Sequence, residues 1–394
     1  MISVAEAWAH IQSQPWNPHV ERLPLAKASG RILAEDVFAT QDFPPFDRVM
    51  MDGIALTLGK HKAGDHLHVR GTQFAGDPPL SLSDSDGCLE IMTGSVLPHG
   101  TDTVIPVEHY ELKQGVLTLG RDAQPGQHIH RKGTDRQSGD LLVDAGTPIH
   151  PGIIGVLATE GYAEVPVFTM PPCTIVSTGN ELVDITETPS PHQIRRSNVH
   201  VLADLARRAG LSPRLLHLPD DPEIMAQELG PVLQGGGMLM LSGGVSKGKK
   251  DHIPEVLEAL GVKRLFHRVA QRPGKPFWFG STESCAVFAL PGNPVSATFG
   301  MVRYGLPWLA HSLGQPYQPD YAVLTASVTF GPSLTQFLPV QGRPQQGRLL
   351  AIPSPTQGSG DLAGLVDVDG FVELEANQTE FPAGTLVPYY PFPA

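Results

Sequence analysis

Cysteine is scarce: Cys88, Cys173 and Cys285 are the only three in 394 residues. They lie far apart and form neither a CxxC pair nor an even disulfide framework. The expectation is three buried thiols in a reducing compartment. Charge is sparse as well, at 17% Asp, Glu, Lys and Arg, and its balance is acidic, with a formal net charge of -12. No long Lys/Arg run occurs, which argues against a duplex nucleic-acid binder. An anionic substrate would therefore need local cations or a divalent metal to offset the overall repulsion. Charged-then-apolar leaders and membrane-length apolar runs are missing too. A cytoplasmic protein with no nucleic-acid and no membrane partner is expected. The histidines are scattered, with His128 and His130 flanking Ile129 and no HExxH spacing. There is no GxGxxG fingerprint and no internal repeat.

What is present is enough apolar sequence, 41%, to build real cores, and a length that suggests two to four domains. Gly 42 and Pro 38 together point to many turns and short strands. Ser3 and Glu6 read as a capping box opening a helix with Val4, Ala7, Trp8 and Ile11 on one face. Beyond residue 42, strand-like pieces at 66–69, 87–92, 103–106 and 115–119 alternate with Gly, Pro and Asp, as in a small β-rich domain. Helical character returns over 148–161. From 172 to 312 strands at 173–177, 214–218, 238–241, 265–269, 276–279 and 286–290 alternate with helices at 198–209, 222–233, 251–260 and 295–313. That alternation predicts βαβ units and a mostly parallel sheet. Short strands at 322–330, 337–340, 349–352, 371–374 and 386–389 suggest a closing β-barrel or sandwich.

In an open α/β sheet, ligands bind beyond the carboxyl ends of the strands. Four such ends run into polar or glycine-rich loops: Ser177-Thr-Gly-Asn-Glu181, Pro219-Asp-Asp-Pro222, the 242–251 loop beginning Ser242-Gly-Gly-Val-Ser246, and Pro291-Gly-Asn-Pro294. Glycines after a strand let backbone N–H groups cradle phosphate oxygens, so Ser242, Gly243, Gly244 and Ser246 are candidate substrate ligands. Gly243, Gly248 and Lys249 fit GxxxxGK, but Lys250 stands where a P-loop needs Ser or Thr, which excludes an ordinary NTPase. Glu181, Asp220 and Asp251 each end a different strand; brought together, they would offer oxygen ligands to Mg²⁺. Asp220 and Asp251 also stand where helix N-caps are expected, a role compatible with metal binding by one of them. Arg268, Arg272 and Lys275 form an anion site if they point inward, and Arg268 fits a solvated strand edge equally well.

The ordered set of motifs resembles the molybdopterin molybdenumtransferase family, which includes bacterial MoeA and the E domain of gephyrin-type proteins. It comprises Phe46-Asp-Arg-Val-Met-Met-Asp-Gly-Ile-Ala55, Ile91-Met-Thr-Gly94, Arg131-Lys-Gly-Thr-Asp135, Ser177-Thr-Gly-Asn-Glu-Leu182, Asp220-Asp-Pro222, Ser242-Gly-Gly-Val-Ser246 with Asp251, Arg272-Pro-Gly-Lys-Pro276 and Leu290-Pro-Gly-Asn-Pro-Val-Ser296. The resemblance implies a doubly wound, MogA-like α/β domain at 171–312 and an elongated helical dimerisation domain from 1–40 and 134–170. A β-rich domain is inserted at 41–133, and a C-terminal β-barrel occupies 313–394. It implies a homodimer with a site shared between subunits. The activity implied is insertion of molybdate into adenylylated molybdopterin with release of AMP, with Mg²⁺ as cofactor and the pterin adenylyltransferase as a further partner. The alternatives are an adenylyltransferase-like nucleotide enzyme, or a non-catalytic gephyrin-like scaffold.

Carried over residue by residue, the functional acids implied are Asp52, Asp135, Glu181, Asp220 and Asp251, with Thr93, Pro291 and Pro294. The molybdate set implied is Arg272, Lys275, Ser296 and Ser359. Several positions depart from the family pattern. SAMDGYA reads Val49-Met-Met-Asp-Gly-Ile-Ala55, with Val49 and Ile54 replacing Ser and Tyr. Arg268 and Arg272 replace lysines. Arg196 replaces an acid within Arg195-Arg-Ser-Asn198. Pro339 stands where an arginine is usual, with Arg343 as the nearby candidate to replace it.

Overall fold

The structure is a computed structural model and describes residues 1–393 except 60, 115, 246–250 and 355. Met1–Leu23, Gly30–Ala34 and Pro166–Ala394 form one compact unit; Pro24–Ser29 and Glu35–Val165 form another.

The first unit is built on a six-stranded sheet in the order Pro213–Leu218, Cys173–Thr178, Gly237–Ser242, Cys285–Leu290, Trp278–Ser281, Lys263–His267. The first four strands are parallel; the last two run antiparallel to their neighbours. Alternate side chains enter two different cores, as the period of two demands. Ile175, Met238, Met240 and Phe288 join Val199, Leu202 and Trp308 on one face. Val176, Leu239, Leu241 and Val287 join Leu229, Ile253 and Trp278 on the other. Covering both faces explains why Cys285–Leu290 is buried at every position. Helix Asn198–Arg208 buries Val199, Leu202, Ala203, Leu205 and Ala206, and Gly210, at φ +84, closes it.

The N-terminal helix, Val4–Gln12, has the predicted capping box, Ser3 and Glu6 each bonding the other's backbone N–H. Its Val4, Ala7 and Ile11 enter the α/β core. The expected helix over 295–313 is interrupted: Pro294–Gly300 passes through a π-helical turn, Met301–Gly305, into Leu306–Ser312.

Within the same unit the C-terminal strands close a ring. Thr335–Gln345 pairs with Arg348–Pro353, which pairs with Asp320–Leu324, then Leu386–Pro391, then Gly370–Leu374, which returns to Thr335–Gln345. Closure removes free sheet edges. A short strand from the α/β segment, Gln271–Arg272, pairs parallel with Thr335–Gln345 outside the ring.

The second unit holds a six-stranded sheet ordered Thr103–Pro106, Gly53–Leu56, Gly87–Ile91, His66–Gln73, Val116–Leu119, Tyr110–Lys113, with helix Pro151–Thr159 and two small ribbons. Val49 and Ile54, two of the family departures, are each 1% exposed and lie in its apolar clusters, so they serve packing.

All three cysteines are buried, and burial pushes each thiol up to about 12. Iodoacetamide at pH 8 is therefore expected to leave the native protein unlabelled and to label three thiols after denaturation. Rapid native labelling, read by mass spectrometry, would contradict this packing. No helix among the described residues is long and apolar enough to cross a membrane.

Candidate functional site

Strand register creates the site. Thr178 pairs with Leu218, Ser177 with Ser242, and Ser242 with Leu290, so four strands end at nearly one level. The loops leaving them line a cavity of about 520 Å³. Glu181, Asp220, Ser242, Gly243, Gly244, Asp251 and Pro294, all expected from sequence, meet there. Ser246 lies outside the described residues.

The glycines are required by close approach. Gly243 has φ +107, and a Cβ there would lie 2.8 Å from Thr178 Oγ1 and 2.9 Å from Thr178 O. At Gly244, φ +70, a Cβ would meet Ile253 Cγ1 at 2.7 Å. Thr178 is 4% exposed and its Oγ1 is buried without a hydrogen-bond partner among the described residues. A buried unpaired hydroxyl costs about 1–3 kcal/mol, so it offers a ready bond to an occupant of this cavity. Two asparagines tie the loops together. Asn198 Nδ2 donates to Ser242 Oγ at 2.9 Å and to Gly292 O at 2.7 Å. Asn180 Oδ1 accepts from Asp220 N at 3.1 Å.

Helix capping does not claim the acids. Asp221, not Asp220, caps Pro222–Gly235 by accepting from Glu223 N and Ile224 N. Helix Ile253–Ala259 begins after His252 with no side-chain cap, so Asp251 is not its N-cap. Three carboxylates therefore face one cavity, yet among the described residues no three His, Cys, Asp or Glu side chains gather closely enough to hold a metal.

Arg195 and Arg196 bring positive charge to the same wall. Arg196 makes an ion pair with Asp184, whose other carboxylate oxygen accepts from Thr186 N at 3.1 Å and Thr186 Oγ1 at 2.8 Å. The Thr186 backbone and hydroxyl bonds, then Arg196, hold the Asp184 carboxyl down at about 2. A depressed folded-state value means this contribution is complete above the ordinary 3.8 and is lost as pH falls toward 2. Asp184→Asn is expected to flatten the fall of stability with pH in that window. An unchanged slope in acid titrations of denaturant midpoints would contradict it.

The second cavity, of about 530 Å³, is lined by Arg272, Lys275, Pro291, Ser296 and Ser359, again as expected, together with Gln336 and Pro339. Arg272 leaves the strand beside Gln336, its register partner, and its guanidinium lies 5.9 Å from the centre of the Phe330 ring. No ion pair among the described residues engages Arg272 or Lys275. Asn293 lines both cavities, and Ser359 and Gly360 line one each. Ser359 is fastened to that loop: Asn293 Nδ2 donates to its Oγ at 2.8 Å, and Val295 N donates to its carbonyl at 3.1 Å.

Two expected cations lie elsewhere. Arg268, at φ +81, is held through its backbone by Ile2 and Phe277 and lines neither cavity. Arg343 is exposed, donates to Gln341, and does not replace an arginine at Pro339.

Asp52, Thr93 and Asp135 belong to the second unit. Asp52 Oδ1 accepts from Thr93 N at 2.6 Å and Thr93 Oγ1 at 2.7 Å. These bonds, the backbone one first, hold its carboxyl below the usual range. Asp52 is thereby suited to orienting or electrostatic work and is a weak proton acceptor. Asp135 Oδ1 lies 2.9 Å from His130 Nε2, while Arg48 Nη2 donates to His130 Nδ1 at 3.0 Å.

Sequence reasoning did not single out Thr178, Asn198, Asn293 or Gln336 as site residues. Asn198 and Asn293 do sit at motif positions next to strand ends, a usable signal. Gln336 has none, because only barrel pairing brings it to Arg272.

Comparison with known proteins agrees along the whole chain. Family models match in order: "MoeA N-terminal region (domain I and II)" over 2–161, "Probable molybdopterin binding domain" over 174–311, and "MoeA C-terminal region (domain IV)" over 321–392. A Synechocystis protein named molybdopterin molybdenumtransferase is 38% identical, covering 99% of this chain and 100% of that protein. A Haemophilus influenzae protein of the same name is 31% identical, covering 100% and 99%. The crystal structure of a molybdopterin biosynthesis MoeA protein from Pyrococcus horikosii matches with TM-score 0.84 at 30% identity, covering 100% of both chains.

Proposed function

The chain belongs to the molybdopterin molybdenumtransferase family, as a transferase of molybdenum-cofactor biosynthesis, and on that premise we propose that its two adjoining cavities divide the two substrates. Adenylylated molybdopterin occupies the strand-end cavity, with its phosphates on the Ser242-Gly243-Gly244 turn and Thr178. Molybdate occupies the neighbouring cavity, neutralised by Arg272 and Lys275 and bonded by Ser296 and Ser359. The dithiolene sulfurs replace oxygen on molybdenum, which leaves as water with the thiol protons; water cleaves the phosphoanhydride, and AMP leaves. Catalysis by this chain is positioning and charge neutralisation. The observation that carries this reading is the meeting of an acid- and glycine-lined cavity with a cation-lined one along a single loop, at Asn293.

Mg²⁺ is part of the proposal in a restricted form. Mg²⁺ is commonly held by one or two carboxylates plus substrate phosphates and water. Glu181 and Asp251 are suited to that, with Asp220 beside them, and the ion would neutralise phosphate charge. Asp52, steadied by Thr93, and Asp135 act in the same reaction as electrostatic groups. We further propose a four-domain layout, a cytoplasmic location, a homodimer sharing the site, and the pterin adenylyltransferase as the supplier of substrate.

The test is AMP release from adenylylated molybdopterin, followed with and without molybdate and with Mg²⁺ titrated after chelation. Molybdate-dependent release supports the reading. Release that ignores molybdate, or ATP consumption with the bare pterin, contradicts it.

A further inference from the structure

The cations of the second cavity sit on a tight turn, Arg272-Pro-Gly-Lys275, and both are exposed. What fixes that turn is buried behind it. Gln271 is 1% exposed, and its Nε2 donates to Gly274 O at 3.1 Å. Its Oε1 accepts a hydrogen bond from the hydroxyl of Tyr304, which is fully buried. Tyr304 belongs to the π-helical turn Met301–Gly305, and such one-turn insertions are frequent at functional sites. Its ring packs 4.9 Å from Phe277, 6.0 Å from Phe299 and 5.1 Å from the Arg303 guanidinium. Gly274, at φ +78, completes the chain: a Cβ there would stand 3.0 Å from Gln271 Nε2. Both polar atoms of one buried amide are thus spent on one purpose, holding Gly274 between Arg272 and Lys275 from a hydroxyl that never reaches solvent.

We propose that Tyr304 and Gln271 are positioning residues for oxyanion binding, setting the spacing of Arg272 and Lys275 through the hydrogen-bond chain Tyr304–Gln271–Gly274. This rests on the reading of that cavity as the oxyanion site. A buried acceptor left without its donor pulls its surroundings out of register, so loss of the Tyr304 hydroxyl loosens the turn while the ring keeps its packing.

The experiment is KM for molybdate and, separately, for adenylylated molybdopterin in Tyr304→Phe, Gln271→Leu and the double variant, with Arg272→Ala alongside. Tyr304→Phe is expected to raise KM for molybdate roughly 5- to 30-fold. KM for the pterin substrate should stay within about twofold, and the double variant should be no worse than Gln271→Leu, because the two act in one chain. Tyr304→Phe with unchanged molybdate KM, while Arg272→Ala is impaired, overturns the positioning role alone. Equal rises for both substrates also overturn it, since they report general loosening. If Arg272→Ala binds molybdate as the parent does, the oxyanion reading fails and this inference falls with it. Should Gln271→Leu not fold, Tyr304→Phe carries the test by itself.

Discussion

Arg272→Glu is expected to lower kcat/KM for molybdate by about 100-fold or more, with little change in melting temperature. Arg272 is exposed on the cavity wall, stacks near Phe330, and has no carboxylate partner among the described residues, so the fold does not depend on its charge. Its charge is instead half of the local excess over which a dianion would be bound by a chain of net charge -12. At an effective dielectric of 20, unit charges 4 Å apart interact by about 4 kcal/mol, and exposure to solvent reduces this severalfold. Reversing the sign swings the interaction twice over, which supports the 100-fold figure after screening. Salt supplies an internal control. The parent's kcat/KM should fall as ionic strength rises from 0.05 to about 0.5 M, and the variant's should not. Arg272→Lys should be milder, because it keeps the charge and loses only the planar fork. A variant with parental kcat/KM would show that the oxyanion binds elsewhere.

The second large effect concerns shape. Gly243→Val should abolish activity and lower the melting temperature by roughly 5–10 °C. At φ +107, with a prospective Cβ 2.8–2.9 Å from Thr178 Oγ1 and carbonyl, the side chain meets backbone that has no way to retreat. Thr178 is itself pinned in the sheet between Leu218 and the end of Gly237–Ser242. The turn must unravel, taking with it the N–H groups of the strand-end loop. Gly155→Ala is the control: it lies in helix Pro151–Thr159, with nothing within 4 Å of its prospective Cβ, and should be neutral or slightly stabilising. Parental activity in Gly243→Val, read with the melting curve, would mean that the turn is not part of the site.

Much of this arrangement is legible in the sequence, for local reasons. Strand and helix alternation over 172–312 is written in β-branched runs and capping residues, and the strand-end rule then places Glu181, Asp220, Ser242, Gly243, Gly244 and Asp251 together. The Ser3/Glu6 capping box and the Gly210 stop are local signals as well, and both occur. What was illegible is non-local. Nothing in Gln271 or Arg272 announces that they add a strand to a barrel whose nearest partner is Thr335. Barrel closure depends on pairings, such as Thr335–Gln345 with Gly370–Leu374, that no periodicity encodes. The cap expected at Asp220 falls one residue later on Asp221, a residue of the same type, and the helix at 253 starts after His252 with no side-chain cap. Arg268 and Arg343 were attractive as cations, and only backbone geometry shows that they miss the cavity. The π turn that delivers Tyr304 to Gln271 has no sequence signature either.

The strand-end loops and the cation-lined cavity divide the labour and meet at Asn293. Steady-state KM values for molybdate and for adenylylated molybdopterin, measured side by side in Lys275→Ala and Asp251→Ala, test this division most directly. Lys275→Ala should raise the molybdate KM about tenfold or more and leave the pterin KM within about twofold, while Asp251→Ala should depress turnover or pterin affinity with molybdate KM unmoved. Equal shifts for both substrates in both proteins would contradict two separate subsites.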